Sequence, residues 1–151
     1  MMFVRLALED DLQAVLDLGR AHCDETMNGD VFSPARVEEI FRASIATADP
    51  TIFVVEEEGK VVGFLLASIH PYDHKDGFFT MQRVVFVQKD KRRTPAGALL
   101  IQHLVDWSRR LGADEVFGGN GNGHESDRVA AFLERQGFEK VGYSLAIRLK
   151  G

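Results

Sequence analysis

Val85-Phe86-Val87-Gln88-Lys89-Asp90-Lys91-Arg92-Arg93-Thr94-Pro95-Ala96-Gly97 is the stretch on which the reading of this 151-residue chain turns. A run of β-branched and aromatic residues ends at Val87, a cationic loop follows, and a helical pattern opens at Thr94-Pro95. A helix N-terminus carries unpaired N–H groups and a partial positive charge, which together favour an anion. Four of the five residues from Lys89 to Arg93 are cationic and add Coulomb attraction. Gly97, in the first turn, has no side chain to keep a phosphate off the backbone. The plainer reading is a solvated charged loop ahead of a surface helix, with Gly97 packing on a neighbour. Spacing alone leaves both readings open.

Outward from this stretch, hydrophobic periodicity lays out the remaining elements. Phe78 to Val87 is a long strand, and Thr51 to Glu56 and Lys60 to Ile69 are two more around the hairpin signal Glu58-Gly59. Ser33-Pro34 starts a helix as N-cap hydroxyl and first-turn proline, and Val37, Ile40, Phe41, Ile45 and Ala48 form its buried stripe up to Asp49-Pro50. Upstream, Asp24 to Phe32, with Asn28-Gly29-Asp30, is a polar loop. Leu8, Leu12, Val15, Leu16 and Gly19 mark one face of a first helix that reaches about Cys23. Glu9, Asp10 and Asp11 lie in its first turn, where negative charge suits the dipole. Phe3 to Leu6 is a short strand. Downstream, Leu100, Ile101, Leu104, Val105 and Leu111 carry the helix to Gly112. A strand over Asp114 to Phe117, the glycine-rich run Gly118 to Gly123 and a helix over Ser126 to Gln136 come next. A last strand spans Val141 to Leu149, where Tyr143, Leu145, Ile147 and Leu149 alternate with small or charged residues.

The order β-α-α-β-β-β-α-β-α-β predicts a mixed α/β (α+β) fold. Three consecutive strands on short turns should be antiparallel neighbours, and the later β-α-β a parallel crossover, with helices covering the sheet. No linker or repeat divides the chain, so a single domain over residues 1–151 is expected. At this length a fold hides roughly 70% of the unfolded surface, enough for a core without staples.

Composition narrows the function classes. The chain is 45% hydrophobic and 27% charged, which excludes a disordered or collagen-like chain. Its single cysteine, Cys23, makes no internal disulfide and no cysteine-rich zinc site. Eighteen Lys and Arg against twenty-three Asp and Glu give a net charge of −5, which argues against a broad nucleic-acid footprint. The opening Met1-Met2-Phe3-Val4-Arg5-Leu6 is too short for a signal peptide, and no run approaches about 20 apolar residues. A cytoplasmic protein with no membrane contact is the expectation. His70, Asp73 and His74 sit in a loop rather than on a helix, so no metal is expected. Gly118 to Gly123 lacks the spacing of a nucleotide loop and reads as a connection.

Val87 to Leu100 resembles the acetyl-CoA motif of the GCN5-related N-acetyltransferase (GNAT) family, a strand, then Gln/Arg-x-x-Gly-x-Gly/Ala, then a helix. Arg92 matches the Gln/Arg position and Gly97 the Gly/Ala position, while Pro95 replaces the first glycine. Ser126 to Phe138 resembles the family's second signature, Asn-x-x-Ala-x-x-Leu-Tyr-x-x-x-Gly-Phe. Gly137-Phe138 match and Phe132 takes the Leu place, but Ser126 stands for Asn, Val129 for Ala and Leu133 for Tyr. The strand order resembles the family over nearly the whole chain.

The resemblance implies an enzyme that moves an acetyl group from acetyl-CoA to a primary amine by direct attack. The strand ending at Val87 would splay from the next one to hold the acyl-CoA. Arg92, Arg93, Thr94, Ala96, Gly97 and Ala98 would hold the pyrophosphate, main-chain groups at Val85 and Val87 the pantetheine, and Ser126 would also bind the cofactor. Direct attack leaves Cys23 a buried small hydrophobe rather than a nucleophile. The family's tyrosine, a proposed acid for the departing thiolate, is absent at Leu133. His22, Glu25 and Tyr143 are the catalytic candidates, with His70, Tyr72, His74 and His124 in reserve. His22-x-x-Glu25 leads, because in the family the loop after the first helix borders the acceptor site. The acceptor would be an amine-bearing small molecule or a protein or peptide. The chain would work as a monomer or a homodimer. The rival reading is a non-catalytic acyl-CoA-binding or protein-interaction module on the same fold.

Overall fold

The computed structural model describes residues 1–27, 29–120 and 122–150. Its elements run β1 (Met2–Leu6), α1 (Leu12–Thr26), α2 (Pro34–Thr47), β2 (Thr51–Glu57), β3 (Lys60–Pro71), β4 (Phe78–Val87), α3 (Ala96–Leu111), β5 (Glu115–Phe117) and α4 (Ser126–Arg135), with short 3₁₀ turns at Glu9–Asp11 and Lys89–Lys91. The five strands form one sheet in sequential order, antiparallel from β1 to β4 and parallel between β4 and β5. This is the expected mixed α/β fold, with one correction. The strand predicted over Val141 to Leu149 does not form: those residues carry no secondary structure, and their large apolar side chains are exposed.

Residue identity accounts for the local geometry. The β2–β3 hairpin turns on Glu58 and Gly59, both at positive φ (52° and 77°), the geometry that matches strand twist. Ser33 caps α2, its Oγ accepting the Arg36 N–H at 3.2 Å, and Pro34 follows at the first helical position. The acidic start of the first helix does more than meet the dipole. Asp11 is buried beside Arg5, accepts from Nη1 at 2.7 Å and Nη2 at 3.1 Å, and also takes the Leu8 N–H at 2.7 Å. Arg5 reaches Glu56 as well, at 2.8 Å, so this ion pair joins β1, β2 and the start of α1.

Helices cover both faces. Under α1 and α2 lie Val15, Leu18, Phe41, Ile52, Val54, Phe64, Leu66 and Phe86. Under α3 and α4 lie Phe53, Val55, Leu65, Ala67, Val87, Leu100, Ile101, Leu104 and Leu133. The alternation of Ile52, Phe53, Val54 and Val55 between the two clusters is the period-two signature of a strand buried on both sides. Each such side chain contributes about 1.5–3 kcal/mol through burial. The Thr80 and Ser108 hydroxyls, both buried, pair at 2.6 Å, and Ser108 donates to the Leu104 carbonyl at 2.7 Å, which fastens α3 to β4 without an orphaned polar group.

Two bulges bend the sheet. Between β2 and β3 the register skips Val62, and between β3 and β4 it skips Arg83. Beside the first, a Cβ on Gly63 would lie 2.9 Å from the Phe86 carbonyl oxygen, with Val55 and Val87 side chains at 3.0 and 3.1 Å. Backbone cannot yield there as a flexible side chain would. Gly63→Ala is therefore expected to destabilise the fold by about 1–3 kcal/mol, read as a lower midpoint in thermal or denaturant unfolding; an unchanged midpoint would contradict the packing described.

Candidate active site

The site begins where two strands part. β4 pairs with β5 only through Phe79↔Glu115, Thr80↔Val116 and Met81↔Phe117, whereas β4 runs on to Val87. Gln82 closes the fork, its Oε1 accepting the Gly119 N–H at 2.9 Å, and the Arg83 bulge follows at once. Beyond it the far edge of β4 is open. Gln88 donates to the Val62 carbonyl at 2.9 Å, so in the alternating pattern of an antiparallel pair Val87 and Val85 turn their N–H and C=O groups away from β3, into the fork. The Val87 carbonyl takes Arg92 Nε at 3.0 Å. The Val87 N–H and both main-chain groups of Val85 have no ladder partner.

The loop after β4 leads these groups to the start of α3. From Arg92 to Ala98, the Thr94 N–H is bonded to the Lys91 carbonyl at 3.2 Å, Pro95 has none, and the Ala96 N–H meets Thr94 Oγ1 at 3.3 Å. The N–H groups of Arg92, Arg93, Gly97 and Ala98 have no protein acceptor among the described residues. Pro95, expected at the first helical position, is instead the N-cap, and the helix begins at Ala96. Unpaired amides at and just before a helix start favour an anion. Gly97 also has a packing reason, since a Cβ there would stand 3.4 Å from the Phe132 ring of α4.

On the α1 side of β4, the structure brings together residues far apart in sequence. Arg92 grips Glu25 with both terminal nitrogens, at 2.5 and 2.7 Å, and its guanidinium lies 5.0 Å over the Phe86 ring. His22 packs edge-on to the same ring at 5.2 Å. The Arg92 hydrogen bond holds the Glu25 carboxyl below its usual range, outweighing burial, so Glu25 stays an anion and a poor base. Arg92 is raised in turn. Its side chain is therefore a strut between β4 and α1, while its main-chain N–H has no protein acceptor among the described residues. Arg93 is exposed and makes no ion pair among the described residues.

His22 is held below the ordinary imidazole value, first by burial and further by Arg92 and His124, against the opposing pull of Glu25. Its Nδ1 is buried without a protein hydrogen-bond partner. A neutral imidazole with a free ring nitrogen can take a proton. His124 comes near the same group through the loop before α4, where its N–H is held by Asn122 Oδ1 at 2.8 Å. The other candidates lie elsewhere. His70 pairs with Ser68 at 2.7 Å, and Tyr72 donates to Glu115 at 2.6 Å, which pushes its phenol up to about 12. His74 packs near Tyr72. Tyr143 is 94% exposed. Ser126 is exposed at the first turn of α4. Leu133, in the place of the family's tyrosine, is buried in the core. Asn28 and Gly121, within two of the expected loops, lie outside the described residues.

Among the described residues no group of three or more His, Cys, Asp or Glu is placed to hold a metal ion, and no helix is long and apolar enough to cross a membrane. Two cavities, of about 260 and 320 Å³, lie away from the fork, one between Leu6, Ile45 and Thr51, the other beside Ile101 and Arg109. Sequence alone missed Gln82 as the residue that closes the fork and Phe86 as the ring shared by His22 and Arg92. Phe86 was findable, since it alternates with Val85 and Val87 along one strand.

Because the folded chain protonates His22 at a lower pH than the unfolded chain, whose imidazole titrates near 6.5, the sign of its effect is set. The neutral ring's contribution is complete above that value and is lost as pH falls toward the folded value. Unfolding midpoints should drop between pH 7.5 and 5, and His22→Gln should flatten the slope. His103, lowered by burial in the same direction, carries part of the remainder. An identical slope in the variant would contradict the buried neutral state of His22.

Solved structures share this architecture. A transcriptional regulator from Bacillus halodurans C-125 superposes with a TM-score of 0.83 at 15% identity, over 99% of this chain and 100% of that one. A Trypanosoma brucei acetyltransferase gives 0.78 at 21% identity, over 99% and 100%. Glucosamine-6-phosphate N-acetyltransferase from Arabidopsis thaliana gives 0.77 at 19%, over 99% of both. No curated protein sequence matches the chain significantly. The family described as Acetyltransferase (GNAT) matches residues 16–138, a span that takes in the forked strand, the amide cradle and the Gly137-Phe138 ending, and the chain belongs to that family.

Proposed function

We propose that this protein transfers an acetyl group from acetyl-CoA to a primary amine within a ternary complex. The observation that carries the reading is the set of unpaired main-chain donors running from Val85 and Val87 to Gly97 and Ala98. The spacing suits a pantetheine arm along the strand edge and a pyrophosphate at the helix start. When bound, acetyl-CoA supplies a thioester whose thiol an amine can displace directly. The Val87 N–H, fixed by the sheet, is available to polarise a carbonyl in the fork, as preorganised donors do. His22 accepts the proton that the amine must lose as its C–N bond forms. Glu25 and Arg92 hold α1, which bears His22, against β4. No side chain stands ready at Leu133 to protonate the thiolate, and solvent takes that role. A cytoplasmic setting and an amine-bearing small molecule, peptide or protein as acceptor belong to the same reading.

A second reading, a non-catalytic acyl-CoA-binding module, is favoured by Leu133, whose burial leaves no hydroxyl where the family places its tyrosine. Turnover separates the two. Calorimetry should detect acetyl-CoA binding, and Arg93→Glu should weaken it about tenfold, or about 1.4 kcal/mol, without changing the melting midpoint. No binding at millimolar ligand would defeat both readings. Thiol release over a panel of primary amines should follow an acidic limb below the usual imidazole range. His22→Gln should lower kcat by about 10²–10⁴-fold and remove that limb, with acetyl-CoA affinity retained. Binding with no release for any amine would leave the module.

A further inference from the structure

His22 stands beside a counter-charge that is already engaged. Glu25 lies three positions further along α1, the spacing that puts two side chains on one helix face, and its carboxylate favours the charged imidazole. Arg92 holds that carboxylate with both terminal nitrogens, and its own charge opposes a proton on His22. From the loop before α4, His124 opposes that proton too, and Glu125 next to it acts on Arg92. Lys89 acts on Glu25. His22 Nδ1 is buried with no protein partner, so an imidazolium formed there finds no acceptor for this N–H while Glu25 is held by Arg92. A ring in that state takes up a proton poorly.

We propose that the Arg92–Glu25 pair is a handover: Arg92 leaves Glu25 for a diphosphate seated on the unpaired amides of Arg92, Arg93, Gly97 and Ala98, and the released Glu25 becomes the positioning residue of His22. The inference rests on the acetyl-CoA reading above. Three considerations favour it. First, the pair is easily parted. Its side chains are 36% and 32% exposed, and an ion pair that open to water contributes little. Second, the exchange gains charge. A diphosphate carries more negative charge than a carboxylate and offers the planar guanidinium the same two-point contact. An anion bonded to the main-chain N–H of Arg92 also lies within the span of that residue's own side chain. Third, the departure of Arg92 does not unseat α1, because Val15 and Leu18 stay buried against the sheet and His22 stays on the edge of the Phe86 ring. Glu25 is then free to steady the imidazolium, as the carboxylate partner of a general-base histidine does. His22 is thereby a weak base in the free chain and a stronger one once the diphosphate is in place.

NMR titration of the full chain with labelled histidine, free and saturated with CoA, tests the handover without turnover. The His22 midpoint, assigned by the signal lost in His22→Gln, should rise by about one unit when CoA binds. In Glu25→Gln most of that rise should vanish, whereas a rise caused by the ligand's own charge would persist. By calorimetry, CoA should bind Glu25→Gln about two- to fivefold more tightly than wild type, because Arg92 is no longer shared, and the melting midpoint should change little. An equal rise in both proteins, or weaker CoA binding in Glu25→Gln, overturns the handover and leaves Arg92 a fixed strut. Bound CoA with no movement of His22 overturns it as well. Failure of CoA to bind the wild-type chain overturns the acetyl-CoA reading and the handover together.

Discussion

Backbone N–H and C=O groups must be paired or solvated, and in this fold the far edge of β4 past Met81 is denied its pairing. β5 stops at Phe117, so Val85 and Val87 present main-chain groups to a cleft instead of to a strand. Gln82 holds the parting point by taking the Gly119 N–H, and the extra residue at Arg83 bends β4 immediately afterwards. Leu133 and Phe138 pack beside Gly118, so the base of the fork is filled with apolar side chains. The unpaired edge is thus a consequence of strand length and one bulge.

The two faces of β4 divide the chemistry between them. Val85 and Val87 send side chains into the α3 cluster and main-chain groups into the fork, while Phe86 faces α1. That single aromatic ring receives His22 on its edge and Arg92 over its face. Arg92 in turn grips Glu25 and the Val87 carbonyl, so one guanidinium ties the loop that forms the cradle to the helix that bears His22. A planar, five-donor group suits this three-way contact, where a lysine would offer one point charge.

Elements with strong local signals were legible in the sequence. The Glu58-Gly59 turn, the Ser33 cap and the apolar stripe of α3 each rest on a few adjacent residues, and they appear where those residues place them. What was not legible depends on distance along the chain. Arg92 meets Glu25 across 67 positions and Arg5 meets Glu56 across 51, and no spacing rule anticipates either. Asp11 read as a dipole residue because its partner, Arg5, lies in another element. Leu145 and Ile147 read as part of a strand because alternation reports what a segment is suited to bury, and not whether its own chain supplies the surface.

Pro95 shows how geometry decides what a departure from a motif costs. On paper, replacing glycine by proline removes a donor from a loop that works through donors. In the structure Pro95 is the N-cap of α3, with φ of −75°, within the range its ring enforces. The amides that remain free further into the helix, at Gly97 and Ala98, lie in the first turn, where no intrahelical acceptor exists for them. The Ala96 N–H is engaged by Thr94 Oγ1 in any case. Proline thus fixes the direction in which α3 enters the cradle and takes from it only the N-cap amide. An N-terminus held by a ring in place of a glycine also has less conformational freedom to lose when an anion docks.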